Sequence, residues 1–244
     1  MISCPAWLAL CGSYGLRPVA RFFWGGMHRQ RVSCFVDGLN LYHATSFLKR
    51  PELQWVDLRS LSRIFLKSHS EELSQVFYFT AYAEHVSEFD QKCQKAYIQA
   101  LELMGVAPIL GHFKKKNRKC PSCNYRWIGH EEKETDVNIA LSLLNLAYQD
   151  TFDRALVISN DSDLAPAIQL VRKQFPQKRI TTIAPPHYFH SLELIVASSD
   201  KTKIKTKHLE RCLLPPVVTD ASRLISVNRP LEYAPRDSTI TVSK

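Results

Sequence analysis

From Arg31 onward the chain alternates between two hydrophobic periods. "RVSCFVDG" is a nearly continuous apolar run stopped by Asp37 and Gly38, the mark of a buried strand. "LNLYHATSFLK" then shows helical spacing, and "VDLRSLSRIFLK" predicts a second helix with Asp57 as its N-cap. "SQVFYFTAYA" is aromatic and β-branched and predicts a strand. "EFDQKCQKAYIQALELMG" predicts a long amphipathic helix ended by Gly105, and "VAPILGHF" a short strand. In "KETDVNIALSLLNLAYQD" the residues Val137, Ile139, Ala140, Leu143, Leu144, Leu146 and Ala147 form a broad helical stripe. "RALVISND" is the next strand. "DLAPAIQLVRKQF" is a helix with Pro166 in its first turn, where proline is tolerated. "KRITTIAPP" and "HSLELIVASS" add a last strand and helix.

Alternation of this kind, with strands apolar throughout, implies a mainly parallel sheet covered by helices on both faces. Ligands in such folds sit outside the carboxyl ends of the strands. Asp37 ends one strand and Asp161 follows another, so both face one crevice if those strands are neighbours. No strand is followed by G-x-G-x-x-G or by a P-loop, which argues against a dinucleotide or P-loop site. Residues 1–30 lack a clear period and read as a leader. Either Met27 is the natural start or the leader is a poorly ordered extension. Residues 213–244 are Pro-rich and polar and read as a tail, disordered or draped over the domain.

Charge and cysteine content sharpen this picture. Lys and Arg outnumber Asp and Glu by 32 to 23, a net charge of +9 in 244 residues, which favours a polyanionic partner over a merely solubilising surface. No apolar run approaches the roughly 18 to 20 residues of a membrane span, so no membrane partner is expected. Seven cysteines with a single close pair do not make a secreted disulfide scaffold, and a cytoplasmic location is expected.

Carboxylates gather in three segments, "FVDGLNLY", "EEKETDVNIA" and "ISNDSDLAP". Taken singly, each acid reads first as a cap or a helix-dipole partner. Taken together they do not, because caps require no aspartate at the end of the first strand as well. Clustered anions repel increasingly as water is excluded, and protons or a cation must relieve them. Hard oxygen donors favour Mg²⁺ or Mn²⁺.

The three motifs, in this order and spacing, resemble the NYN domain of the PIN-like nuclease superfamily over roughly residues 31–212. The resemblance implies a Rossmann-like three-layer α/β/α sandwich with strand order 3-2-1-4-5. It implies Mg²⁺ or Mn²⁺ held by Asp37, Asp136 and Asp161, with Asp163 as a further ligand or water-orienting base. Asn40 falls at the asparagine of the family's D-G-x-N motif, near the metal or the phosphate, and Lys133 is expected to help place the phosphate. The implied activity is metal-dependent endoribonucleolytic hydrolysis. "WVDLRSL" and "EEKETDVNIA" resemble most a bacterial subgroup that includes proteins named as hydroxylases of 6-hydroxy-3-succinoylpyridine. Two alternatives therefore stand: a nucleic-acid-binding module without turnover, and a monooxygenase of that type.

The segment 114–130 interrupts the α/β rhythm as an insert. Cys120 and Cys123 have C-x₂-C spacing, and His112 and His130 could complete a tetrahedral zinc site. Two reduced thiols at a hairpin tip, with "YRWIGH" as the returning strand, are the other reading, and a redox pair a third. Lys114, Lys115 and Lys116, with Tyr125 and Trp127 close by, suit phosphates and unpaired bases, so single-stranded RNA is the expected partner. A solvated charge run is the plainer reading of the same lysines. Lys201, Lys203, Lys205 and Lys207 alternate with period two and predict a protective edge strand. Self-association is left open.

Overall fold

The structure, a computed structural model, describes residues 29–83, 86–222 and 224–235. The leader expected over residues 1–30 lies, apart from Arg29 and Gln30, outside the described residues, as do residues 236–244 of the expected tail. In chain order the elements are β1 (Gln30–Asp37), α1 (Gly38–Ser46), α2 (Leu58–Arg63), β2 (Glu71–Ala81), α3 (Glu88–Leu103), β3 (Ala107–Lys119), β4 (Arg126–Lys133) and α4 (Thr135–Tyr148). There follow β5 (Arg154–Ile158), α5 (Ala165–Gln174), β6 (Arg179–Ala184), α6 (Leu192–Ala197), β7 (Asp200–Lys203), α7 (Thr206–Glu210), β8 (Val217–Thr219) and β9 (Ser226–Asn228).

Seven strands form one sheet in the order β4-β3-β2-β1-β5-β6-β7. All neighbouring pairs are parallel except β3 with β4. The expected 3-2-1-4-5 core is present as β3-β2-β1-β5-β6, extended by β7 at one edge and by β4, antiparallel to β3, at the other. The chain leaves β1 toward β2 and returns on its other side as β5, so the β1/β5 boundary is the switch point where open α/β sheets place ligands.

Side-chain alternation along the central strands builds two cores. Val32, Cys34 and Val36 of β1 pack with Leu41, Leu58, Leu61, Ile98 and Leu101 on one face. Phe35 packs on the other with Ile139, Leu143, Ile168, Val171 and Leu194. Both faces being covered, the central stretches of β1 and β5 are mostly apolar, as the sequence pattern requires, with Ser33 of β1 and Thr181 and Thr182 of β6 as buried hydroxyls. Trp55, Leu214, Val218 and Val227 form a third cluster, in which β8 and β9 cover the outer side of α3. The Trp55 indole donates to the Pro215 carbonyl at 2.9 Å.

Two elements differ from expectation. β3 does not stop near Phe113 but runs to Lys119, because β4 pairs with it along its length and sets Glu131 opposite Lys114. The lysine-rich edge strand ends at Lys203, where Ile204 turns inward and is fully buried. Lys205 and Lys207 belong to the start and body of α7.

At the amino-terminal rim of the sheet, charges are paired. Arg154 opens β5 and donates to both carboxylate oxygens of Glu71, at 3.0 and 2.8 Å, and to Thr181 Oγ1 at 3.0 Å. Arg31 meets Asp153 at 2.8 Å, and Lys178 meets Asp150 at 2.7 Å. Removing one partner of the buried Glu71–Arg154 pair leaves a desolvated charge alone. Glu71→Ala is expected to lower stability by about 3–5 kcal/mol in urea denaturation, whereas an exposed pair such as Arg179–Asp200 should contribute under about 1 kcal/mol.

Candidate active site

The last residue of β1, Asp37, is only 4% exposed. Val36 pairs with Ile158, so Asp37 and Ser159 leave the sheet side by side. Asp37 caps α1 by accepting the Asn40 backbone N–H at 3.0 Å on one oxygen. Its other oxygen accepts the Ser159 hydroxyl at 2.8 Å. Ser159 Oγ in turn accepts the Asp161 N–H at 3.0 Å, and the Asp161 carboxylate accepts the Asp163 N–H at 2.9 Å. The cap suspected at Asp161 is real, but Asp37, set apart in the sequence as an acid that no cap requires, proves to be the N-cap of α1 as well, and the same hydrogen bonds fix these two carboxylates at the crevice.

Asn40 and Asn160 brace the same rim. The Asn40 side-chain oxygen accepts the Asn160 N–H at 3.3 Å, and Asn160 Oδ1 accepts the Ser191 N–H at 3.1 Å. The loops after β1, β5 and β6 are thereby tied together. Asp136 enters from the first turn of α4, half-exposed. Glu132, at the end of β4, accepts both the backbone N–H of Thr135, at 2.9 Å, and the Thr135 hydroxyl.

The electrostatics follow from burial and like charge. Burial pushes the Asp37 carboxyl up to about 7, against the pull of its bonds to Asn40 and Ser159, with Asp136 and Asp161 raising it further. Asp136 is raised to about 6 by desolvation, then by Asp161, Glu132 and Asp163. Among the described residues no ion pair reaches Asp37, Asp136, Asp161 or Asp163. The four aspartates predicted from the sequence are thus brought to one rim and feel one another. Among the described residues, however, no three His, Cys, Asp or Glu side chains gather into a ready-made metal cage.

The zinc set fails on geometry. His112 lies opposite Lys133 at the base of the β3–β4 ribbon, and His130 lies opposite Lys115. Cys120 follows the last pair, Lys119 with Arg126, at the tip. At about 3.3 Å per residue, His112 is roughly 26 Å and His130 roughly 17 Å back from Cys120 along the ribbon. His112 Nδ1 instead meets Glu134 at 3.1 Å. Cys120 and Cys123 are free thiols in the turn, and hydrogen bonds from the Cys123 and Ser122 backbone lower the Cys120 pKa.

The basic residues divide. Lys116 and Lys133 both grip Glu131, at 2.8 and 3.1 Å, which holds that carboxyl down to about 2. Lys114 and Lys115 are exposed on successive, opposite faces of β3. Tyr125 and Trp127 are exposed near the tip with rings stacked 6.3 Å apart.

Ser159, Asn160, Glu132 and Thr135 were not found by sequence reasoning. Ser159 reaches Asp37 across 122 positions, and no local spacing encodes that contact. Glu132 had a faint signal, an acid three residues before a helix-starting threonine.

For the two raised carboxyls, the folded protein holds protons that the unfolded chain releases near 3.8. Their stabilisation is complete below about pH 4 and is lost as the pH rises through 6 and 7. For Asp37 the swing is about 4 kcal/mol, at roughly 1.4 kcal/mol per tenfold change in proton affinity. Asp150 and Asp153 are held low by Lys178 and Arg31 and stay ionised over this range. In chelator, the melting temperature should therefore fall between pH 5 and 8. Asp37→Asn should flatten that slope and melt above wild type at pH 8.

Comparison with known proteins assigns the chain. The family model of the NYN domain matches residues 31–203. A 92-residue stretch is 33% identical to 6-hydroxy-3-succinoylpyridine 3-monooxygenase HspA of Pseudomonas putida, covering 36% of this chain and 29% of that protein. The chain thus aligns with less than a third of that relative's length. A crystal structure of a protein of unknown function from Vibrio parahaemolyticus superposes with a TM-score of 0.50 at 17% identity, over 77% of this chain and 98% of that one, which supports the fold alone. The chain belongs to the NYN domain family and is a nuclease-like, RNA-related α/β domain.

Proposed function

We propose that this protein hydrolyses RNA phosphodiester bonds at the rim formed by Asp37, Asp136, Asp161 and Asp163, with Mg²⁺ or Mn²⁺. The observation that carries the proposal is a buried carboxyl, Asp37, facing two further aspartates with no protein cation among the described residues to neutralise them. The donor set is all hard oxygen, which fits these ions. Mg²⁺ commonly uses one or two carboxylates, keeps several waters and takes the rest from a phosphate, so it needs no preformed protein cage. Asp37, Asp136 and Asp161 would hold the ion. When bound, it supplies Lewis-acid polarisation of a phosphoryl oxygen and a water of lowered pKa.

The chain's own groups do the rest. Asp163, exposed on the turn after β5, takes the proton of the attacking water. The water oxygen bonds to phosphorus, the bond to the leaving ribose oxygen breaks, and solvent protonates that oxygen. Asn40, whose side-chain oxygen is held by the Asn160 N–H, would donate from its Nδ2 to a non-bridging oxygen. Lys133 would add charge at the base of the ribbon, and Lys114 and Lys116, on one face of β3, would track the strand's phosphates, with Lys115 on the opposite face. Tyr125 and Trp127 stack on unpaired bases, which favours single-stranded RNA.

The name of the Pseudomonas relative motivates a second reading, ring hydroxylation, which would require a redox cofactor. The cavity beside Asp37 has aromatic walls that suit a pyridine, but no Lys or Arg lines it among the described residues. A succinoyl carboxylate would find only the His43 and His130 imidazoles as basic partners there, beside the Asp90 and Glu232 carboxylates, so hydrolysis is the reading we favour.

Labelled single-stranded RNA with Mn²⁺ tests the proposal. Wild type should cleave, and Asp161→Asn should cut the rate by more than about a hundredfold. An uncleaved strand bound without metal would favour a binding module, and substrate-dependent NADH consumption would favour the hydroxylase. At pH 8, Mn²⁺ should raise the melting temperature of wild type and leave that of Asp37→Asn nearly unchanged. Replacing Lys114 and Lys115 by Gln should reduce the slope of log affinity against log salt by about 0.7 for each phosphate that is no longer neutralised.

A further inference from the structure

A cavity of about 510 Å³ opens beside the acidic rim, within the roughly 300–1,000 Å³ typical of small-ligand sites. Its wall includes Gly38 and Leu39, the two residues that follow Asp37. Tyr42, Tyr78, Tyr97, Tyr233, Phe113 and His130 supply ring surfaces from α1, β2, α3, the β3–β4 ribbon and the turn near the carboxyl end of the described chain. Rings from five parts of the fold therefore meet one residue away from the buried carboxyl. A Cβ on Gly38 would stand 2.7 Å from the Tyr78 ring, so the strand end and the cavity wall are in direct contact.

The polar groups of the lining restrict the ligand. The Tyr97 hydroxyl is spent on the Val56 carbonyl at 2.9 Å. The Gln94 amide is spent on Ala81 O at 2.8 Å and Ala83 N at 3.1 Å. Two carboxylates line it, Asp90, which accepts the Ser87 hydroxyl at 2.6 Å, and Glu232, along with the His43 and His130 imidazoles and the Tyr42, Tyr78 and Tyr233 hydroxyls. Glu232 accepts the Cys93 thiol at 3.1 Å on one oxygen, and its second oxygen has no partner among the described residues. With two carboxylates and no Lys or Arg among its described lining, where His43 and His130 are the basic groups, the cavity suits an uncharged aromatic ring that donates hydrogen bonds. Among nucleobases, adenine, cytosine and guanine carry an exocyclic amine that a carboxylate accepts; uracil offers one ring N–H.

We propose that this cavity seats one nucleobase bearing an exocyclic amino group, stacked among the tyrosines and read by Glu232, while the adjoining phosphate stays outside at the aspartates. The identity of the adjoining phosphate rests on the hydrolysis reading; the base pocket does not. The device divides the strand by charge. The anionic backbone goes to the metal-binding rim and the lysine ribbon, and the neutral base goes to the acidic, aromatic cavity.

Nucleosides without phosphate, titrated in chelator by calorimetry, test this directly. Guanosine, adenosine and cytidine should bind, with uridine at least about tenfold weaker. Glu232→Gln should erase that preference without changing uridine affinity. Tyr42→Ala, at a half-exposed rim position that leaves the fold intact, should weaken all four by about tenfold through lost stacking. Asp161→Asn should leave nucleoside affinity unchanged. Absence of nucleoside binding, equal binding of uridine, or an unchanged preference in Glu232→Gln would each overturn the proposal, as would 6-hydroxy-3-succinoylpyridine binding in place of nucleosides. Nucleoside binding without RNA cleavage would support the pocket and count against hydrolysis. RNA cleavage without nucleoside binding would remove the pocket alone.

Discussion

A carboxyl group buried at the end of the central strand is the constraint around which the rest of this molecule is arranged. β1 is covered on both faces and flanked on both sides, so Asp37 at its end is almost wholly withdrawn from bulk water. Desolvation outweighs the two hydrogen bonds it accepts, and its proton affinity rises. The surrounding residues are legible as responses to that. Ser159 donates to it, Asp161 is oriented through Ser159, and Asn40 reports its position to Asn160 and Ser191. A hydrogen-bonded chain across three loops would be an extravagant way to bury a spare aspartate. It is a direct way to hold a poised anion at a fixed point.

The two rims of the sheet show how unusual that is within this one chain. At the amino-terminal rim, Glu71, Asp150 and Asp153 each meet a Lys or Arg, and the pKa values of Asp150 and Asp153 are lowered. At the carboxyl rim, Asp37 and Asp136 have no such partner among the described residues and are raised. The chain has cations to spare, with 32 Lys and Arg against 23 acids, so the difference is one of placement and not of supply. One end of the sheet uses charge to hold the fold, and the other forgoes that stabilisation. Perturbation concentrated in a crevice marks function more often than architecture.

Much of this was legible in the sequence because the signals are local. The strand–helix rhythm, the Asp57 cap on α2 and the Gly105 stop after α3 each depend on neighbours a few residues away. Asp37 and Asp161 could be placed because strand ends in a parallel sheet share a rim. Ser159, Asn160 and Glu132 could not, since their roles are contacts across loops. The zinc reading failed for the same reason in reverse. Closeness in sequence suggested a four-ligand site, but an extended ribbon carries residues apart at the full rise of a strand, which separates His112 from Cys120. The aromatic cavity was invisible because its walls come from five separate elements.

The ribbon is joined to the acidic rim more tightly than its length suggests. β4 ends at Lys133, and α4 begins two residues later. Glu134 between them takes a left-handed backbone, φ 80°, costly for a residue with a Cβ. No side chain of Glu134 caps the helix; the Glu132 carboxylate does so from the strand by binding Thr135, while Glu134 pairs with His112 of β3. Gly111 completes the joint. A Cβ there would fall 2.5 Å from the Lys133 carbonyl and 2.9 Å from the Glu132 carboxylate, so only glycine lets β3 pass this close. The turn that aims Asp136 is therefore built from the base of the ribbon. The base of the ribbon and the position of Asp136 rest on the same few residues, Gly111, Glu132, Glu134 and Thr135.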